Sequence, residues 1–376
     1  MKIIAAPDSF KGSMTAAVAA GAIIKGIHAA FPAAEVIKAP LSDGGEGLVS
    51  SLVDASGGRV REAVVTGPLG EPVKAFWGLL GDGSTAVIEM AAASGLTLVQ
   101  NEKRNPLIST TYGTGELIKL ALNEGCRKIV LGLGGSATND GGAGMAQALG
   151  ASLLDRNGNS LQYGGAALAD LDSIKTGSLD SRLASVEVLA ACDVNNPLTG
   201  KDGASAIFGP QKGGQPATVD QLDRALGHYA EIIRRDLGKS VEYVPGSGAA
   251  GGLGAGVLAF LNARLVPGID LVLDTIELEK ELPGCSLVIT GEGRFDAQSA
   301  FGKVPVGLAR RARKYNVPVV VIAGSVAANI TGMQQEGITA CFSMINEPMS
   351  LEDAIAGGES LLQMTTFQLV SFYFSK

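Results

Sequence analysis

Five short stretches concentrate the residues that can do chemistry. One holds Asp8, Ser9 and Lys11, and a second holds Asp43 and Glu46 around Gly44 and Gly45. A third holds Ser136, Thr138, Asn139 and Asp140, and a fourth holds Asp193, Asn195 and Asn196. The fifth holds Glu292, Arg294 and Asp296, punctuated by Gly291 and Gly293 and followed by Lys303. Carboxylates brought together can hold Mg²⁺ through oxygen, with phosphate oxygens and waters completing the shell. Lysine and arginine neutralise phosphoryl or carboxylate charge, arginine through two parallel hydrogen bonds. Backbone N–H groups of glycine-rich loops can cradle phosphate. Those are the parts of phosphoryl transfer: positioning, charge neutralisation and a base for the attacking hydroxyl. The plainer alternative is that each acid caps the helix after it, or joins a solvated ion-paired turn. That alternative is easier to hold for one loop than for five.

Each stretch follows an apolar run. In 286–303 the run is Leu287-Val288-Ile289, β-branched and without alternation, which suits a strand buried on both faces. It is expected to break into a turn at Gly291, pass Gln298 and Ser299, and enter a helix from Val304. Residues 3–6 run into 7–12 in the same way, and 36–39 into 41–47, each with a helix after it. Ser13 or Thr15 can cap the first of these helices, and Pro32 stops it. A strong strand at 129–133 opens into 134–142, and 186–191 leads into 192–197. Repeated strand, loop and helix predict a parallel α/β sheet, where ligands sit beyond the carboxyl ends of the strands. The texture changes after about residue 64. There 73–80 and 85–90 flank Gly81-Asp82-Gly83-Ser84, a hairpin signal that points to a second domain inserted into the first. The best-marked helix is 219–237, with Thr218 and Gln221 as a capping box, Gly238 as a stop, and His228 beside its apolar stripe as a packing residue.

Composition narrows the partners. A length of 376 residues exceeds one compact core and predicts two domains. With 46% hydrophobic and 18% charged residues, the chain has material for large buried sheets and is not disordered. Thirty basic against 37 acidic residues leave a formal charge of −7, which argues against a general nucleic-acid surface but not against a small anion held by a few cations. Cys126, Cys192, Cys285 and Cys341 are widely spaced and set among apolar or small residues. They read as buried free thiols rather than a metal or disulfide framework. Two histidines give a histidine-rich metal site or a Ser-His-Asp triad little to draw on. No signal peptide and no long apolar span are evident, so a cytoplasmic protein with no membrane partner is expected.

Two segments imitate a dinucleotide fingerprint, Gly132-x-Gly134-x-x-Ala137 and Gly246-x-Gly248-x-x-Gly251. The first is crowded by Ser136, Thr138, Asn139 and Asp140 where a dinucleotide loop is usually bare, and matches come cheaply in a chain with 52 glycines. A P-loop is excluded: Gly302-Lys303 lacks the earlier glycine and is followed by Val304.

At 7–12, 42–47, 134–142 and 290–296 the chain closely resembles the type-1 glycerate kinase family, in the family's order and over nearly the whole length. The ending 367–374 looks less familiar. The resemblance implies ATP-dependent phosphorylation of D-glycerate with Mg²⁺, generally to 2-phosphoglycerate. It also implies two α/β domains with the site between them. One is a Rossmann-like parallel-sheet domain built from both chain ends, 1–64 plus 268–376. The other is an inserted mixed α/β domain, 65–267. On that resemblance Arg294 would hold glycerate's carboxylate, and Ser136, Thr138, Asn139 and Asp140 would bind phosphate or glycerate. Asp193 or Asp296 would take the hydroxyl proton, and Lys11 or Lys303 would offset charge on the γ-phosphoryl. Asp43, Glu46 and Glu292 would serve Mg²⁺, while Asp8, Ser9, Gly44, Gly45, Gly291 and Gly293 would line the nucleotide. The expected partner is the small substrate alone, on a monomer or homodimer. The 3-phosphate as product, a nicotinamide-dependent hydroxy-acid oxidoreductase, and a non-catalytic anion sensor are the competing readings.

Overall fold

The computed structural model describes residues 1–296, 303–327 and 332–375; Gln298 and Ser299 lie outside this set. The chain divides into two compact units. Unit 1 comprises Met1–Asp43, Ser50–Gly57 and the chain from Ile269 onward, and unit 2 comprises Gly44–Val49 and Gly58–Gly268.

Unit 1 is built on a five-stranded sheet, parallel throughout. Its order is Ile338–Ser343, Val319–Val326, Cys285–Phe295, Lys2–Ala5, Glu35–Lys38. Ile3, Leu287, Ile289, Val320 and Ile322 pack with Ile23 and Ile27 of the helix Ala16–Ala30 and with Leu362 and Val370 of the helix Gly358–Tyr373. Strands buried on both faces have no need of alternation, which is why these read as continuous apolar runs. Thr15 caps the Ala16–Ala30 helix by accepting from the Val18 N–H at 3.3 Å. Ser13 instead donates to the Ile355 carbonyl at 2.7 Å. The unfamiliar ending belongs to the last helix, which docks closely at Gly26: a Cβ there would stand 2.5 Å from the Gln363 carbonyl oxygen.

The central strand is longer than the sequence suggests. It runs to Phe295, with Gly291 paired to Ile322, Glu292 to Ala323 and Arg294 to Ser325. The expected turn at Gly291 does not form because that glycine serves as a spacer, not a breaker. A Cβ at 291 would lie 2.0 Å from the Ile322 carbonyl oxygen, so only glycine lets the two strands stay together. Side chains alternate along a strand, so Glu292 and Arg294 share one face while the fully buried Phe295 takes the other.

Unit 2 carries a six-stranded mixed sheet of order Arg264–Val266, Glu187–Ala191, Lys128–Gly132, Thr85–Glu89, Pro72–Leu79, Arg59–Thr66. The first four are parallel and the last two antiparallel. The 81–84 hairpin is tied by Asp82, whose Oδ1 accepts from the N–H groups of Ser84 and Thr85 at 2.8 and 2.9 Å. Because Arg59–Thr66 pairs with Pro72–Leu79 along its whole length, it belongs to unit 2, which takes Gly44–Val49 and then the chain from Gly58, rather than starting after residue 64. The helix expected at 219–237 spans Pro216–Leu237. Proline at its first turn sets the start, so Thr218 lies inside the helix and no side chain caps it. Gly238, at φ 68°, ends it as expected. His228 packs there, with Nε2 2.7 Å from the Leu171 carbonyl oxygen.

Candidate active site

The carboxyl ends of the unit 1 strands open into a cavity of about 680 Å³. Hydrogen bonds that extend the sheet hold the 7–12 loop at its floor. Asp8 N–H donates to the Gly291 carbonyl at 2.8 Å, Thr290 Oγ1 to the Ala6 carbonyl at 2.7 Å, and Leu41 N–H to the Pro7 carbonyl at 2.9 Å. Three stretches distant in sequence therefore meet. Asp8, Lys11 and Asp43 face the cavity with Glu292, Arg294 and Lys303. Ser9 and Gly293 line it as well, while Gly291 lies within the sheet. Asp296 stands beside Arg294, its Oδ2 3.0 Å from Arg294 Nε.

The electrostatics centre on Asp8. Its carboxyl is pushed up to about 7, first by burial and then by the nearby charges of Asp43 and Glu292. The Ser9 N–H, donating to Asp8 Oδ1 at 2.6 Å, and the Lys11 ammonium pull the other way. Carboxylates that repel one another beside two lysines and an arginine are set up for a cation and a polyanion together. Among the described residues, no three His, Cys, Asp or Glu side chains are placed to enclose a metal ion by themselves. Mg²⁺ usually keeps waters and phosphate oxygens and takes only one or two carboxylates. Asp8, Asp43 and Glu292 are the residues of unit 1 that fit it.

The other expected residues lie in unit 2, several of them at its strand ends. Gly44, at φ +90°, packs so tightly that a Cβ would stand 2.6 Å from the Ala191 Cβ, so packing alone accounts for glycine there. Gly45 and Glu46 follow in the same loop, which Glu89 holds by accepting from the Val49 N–H at 2.8 Å. Burial raises the Glu89 carboxyl, the N–H groups of Val49 and Gly47 lower it, and Glu46 raises it further. Asp193 is exposed, with Oδ1 accepting from the Gly268 N–H at 2.8 Å.

The 136–140 stretch is not brought to a surface. Ser136 is buried, and Thr138, Asn139 and Asp140 have no exposed area at all. Asp140 Oδ2 accepts from the Thr111 N–H and Oγ1–H at 2.8 and 2.9 Å and from the Gly144 N–H at 3.2 Å, and Oδ1 accepts from the Gly142 N–H at 3.2 Å. Asn139 Nδ2 donates to Ser205 Oγ at 2.9 Å. The buried Lys212 Nζ donates to the Thr138 carbonyl at 2.7 Å, its ammonium pushed down to about 7 by burial. Thr138 Oγ1 and Asn139 Oδ1 are buried with no hydrogen-bond partner. Glu89 and Lys212 carry no mark in the sequence that separates them from ordinary strand and loop residues. The one hint for Glu89 is an acid closing an otherwise apolar strand.

A sequence model described as the glycerate kinase family matches residues 3–373. The chain belongs to the glycerate kinase family. It is 53% identical to a glycerate kinase of Bacillus subtilis over 97% of this chain and 96% of that protein. It is equally 53% identical to a glycerate 2-kinase of Escherichia coli, covering 95% of this chain and 94% of that one. A solved structure from Salmonella typhimurium LT2, assigned as a glycerate kinase 2, superposes with a TM-score of 0.92 at 49% identity, over 100% and 98% of the two chains. The protein is thus a phosphotransferase enzyme of α/β fold, and glycerate metabolism is its setting. Among its described residues no helix is long and apolar enough to cross a membrane.

Proposed function

We propose that the kinase transfers the γ-phosphoryl group of ATP to D-glycerate with Mg²⁺, releasing ADP and 2-phosphoglycerate, in the cytoplasm and as a monomer or homodimer. The observation that carries this reading is the unit 1 cavity, where Asp8, Asp43 and Glu292 stand with Lys11, Arg294 and Lys303. Similarity to a protein named glycerate 2-kinase supports the choice of hydroxyl. Asp43 and Glu292 would hold Mg²⁺, with Asp8 beside them and Glu46 serving from its own loop, and the ion would supply neutralisation of phosphate charge. Lys11 and Lys303 offset the charge that builds on the moving phosphoryl group. Arg294 matches a carboxylate in two-pronged fashion and orients glycerate. Asp193 or Asp296 accepts the proton of the attacking hydroxyl. Removing a general base costs about 10²- to 10⁴-fold, so Asp193→Asn or Asp296→Asn loses turnover on that scale. Near-full turnover in both variants rejects the base assignment.

A coupled assay for ADP release, with and without D-glycerate, tests the whole reading. Turnover that needs glycerate is expected. Tight NADH binding without ATP use would favour an oxidoreductase, and a ligand-binding protein without turnover a sensor. Phosphorus NMR of the product identifies the hydroxyl, and a signal at the 3-position overturns that detail alone.

A further inference from the structure

The cavity in unit 1 has two unlike halves. One is the charged end already described. The other is formed by Met344, Ile345, Met349, Leu351 and Ile355, beyond the ends of the strands Val319–Val326 and Ile338–Ser343. Leu351 and Ile355 stand at positions i and i+4 of the short helix Leu351–Ala356, so they share one face. They are 77% and 37% exposed. Large aliphatic side chains that line a cavity and still face water are a place where a ligand's apolar surface gains by covering them. The two methionine thioethers are polarizable and make favourable contacts with aromatic rings.

Two of the hydroxyl side chains lining this half are already in use, whereas Ser325, at the end of Val319–Val326, is exposed. Ser350 caps the helix, accepting from the Asp353 N–H at 3.1 Å and donating to Asp353 Oδ2 at 2.6 Å. The Ser13 hydroxyl is spent on the Ile355 carbonyl. D-glycerate bears an oxygen on every carbon and needs no aliphatic wall. A bare polyphosphate needs none either. The whole cavity falls within the range of about 300–1,000 Å³ typical of small-molecule sites.

We infer that this aliphatic half is the nucleobase subsite, so that the phosphoryl donor is bound as a nucleoside triphosphate, its base against Leu351, Ile355 and the two methionines and its phosphates toward Asp8 and Glu292. The inference rests on the ATP reading above and adds where, and by what surface, the donor is distinguished from inorganic polyphosphate.

The test is the double variant Leu351→Ser/Ile355→Ser, which is neutral and changes exposed positions. Calorimetry measures ADP and inorganic tripolyphosphate, each with Mg²⁺, on the parent and the variant. The expected result is at least a tenfold weaker ADP Kd with tripolyphosphate affinity changed less than twofold, and recovery of ADP affinity in Leu351→Met/Ile355→Leu. Equal losses for both ligands, or unchanged ADP affinity, overturn the subsite. If the parent binds no ADP and releases none with glycerate, the ATP reading itself has failed, which is a separate outcome.

Discussion

Asp8 is where the chemistry and the stability of unit 1 pull against each other. Its carboxyl sits at about 7 instead of the usual 3.8, because it is buried beside Asp43 and Glu292 with only the Ser9 N–H and Lys11 in its favour. A carboxyl raised in the folded state favours folding when protonated. Its contribution is therefore fully present below about pH 4 and is lost as pH rises through 7. Asp8→Asn keeps an acceptor for the Ser9 N–H and removes the charge. The nucleotide-free variant should be more stable than the parent at pH 8, by on the order of a few kcal/mol of unfolding free energy and with a higher Tm, and the gain should vanish near pH 4. Thermal unfolding across that range checks it; an equal difference at both ends means that the neighbouring charges do not act on Asp8 as described. Arg294 makes a second case. Its guanidinium pairs with Asp296 yet is largely exposed, which leaves it room for an anionic substrate. Arg294→Lys keeps the charge and loses the planar fork, so KM for glycerate should rise about tenfold with a smaller change in kcat. An unchanged KM removes Arg294 from glycerate binding.

The strand Cys285–Phe295 is the element that makes the site, and glycine decides how far it extends. Gly291→Ala would press a methyl group against the Ile322 backbone oxygen, which cannot move without parting the strands. A loss of about 2–4 kcal/mol in urea unfolding is expected. Gly12→Ala meets nothing within 4 Å and suffers only from its φ of +81°, so it should cost about 1 kcal/mol. If the two variants were equally stable, close strand contact at 291 would not be what selects glycine. The same residue shows what a sequence can convey. The apolar run 287–289, the charged cluster after it and the parallel α/β class are local patterns and could be read directly. That Gly291 extends a strand instead of breaking it depends on a carbonyl 31 positions away, which local pattern does not encode. Likewise Ser136 to Asp140 have the composition of a ligand loop. Their burial is set by donors at Thr111, Gly142 and Gly144 and by Lys212, so composition pointed to polarity and could not tell which side of the surface it faced.

On the scale of the whole chain, the two units should respond differently to ligand. Unit 1 presents its polar groups to an open cavity, held by single backbone hydrogen bonds such as Asp8 N–H to Gly291 and Ala327 N–H to Phe295. Groups of that kind open locally at modest cost, and a ligand that binds the closed form suppresses the opening. In unit 2 the Asp140 carboxylate, the Asn139 amide nitrogen and the Lys212 ammonium already have partners within the unit and almost no exposed area, while Thr138 Oγ1 and Asn139 Oδ1 are buried without a partner. Hydrogen exchange with saturating ADP and Mg²⁺ should therefore slow amides at 8–11, 292–294, 324–325 and 350–355 by tenfold or more. Amides at 138–145 should change less than threefold. Chelating the Mg²⁺ should reverse most of the protection near Asp8, Asp43 and Glu292 but leave part of it at 350–355, because the aliphatic half needs no cation to hold a base. Protection centred on 138–145 instead would move the nucleotide to unit 2 and return the 136–140 loop to the role that its composition suggests.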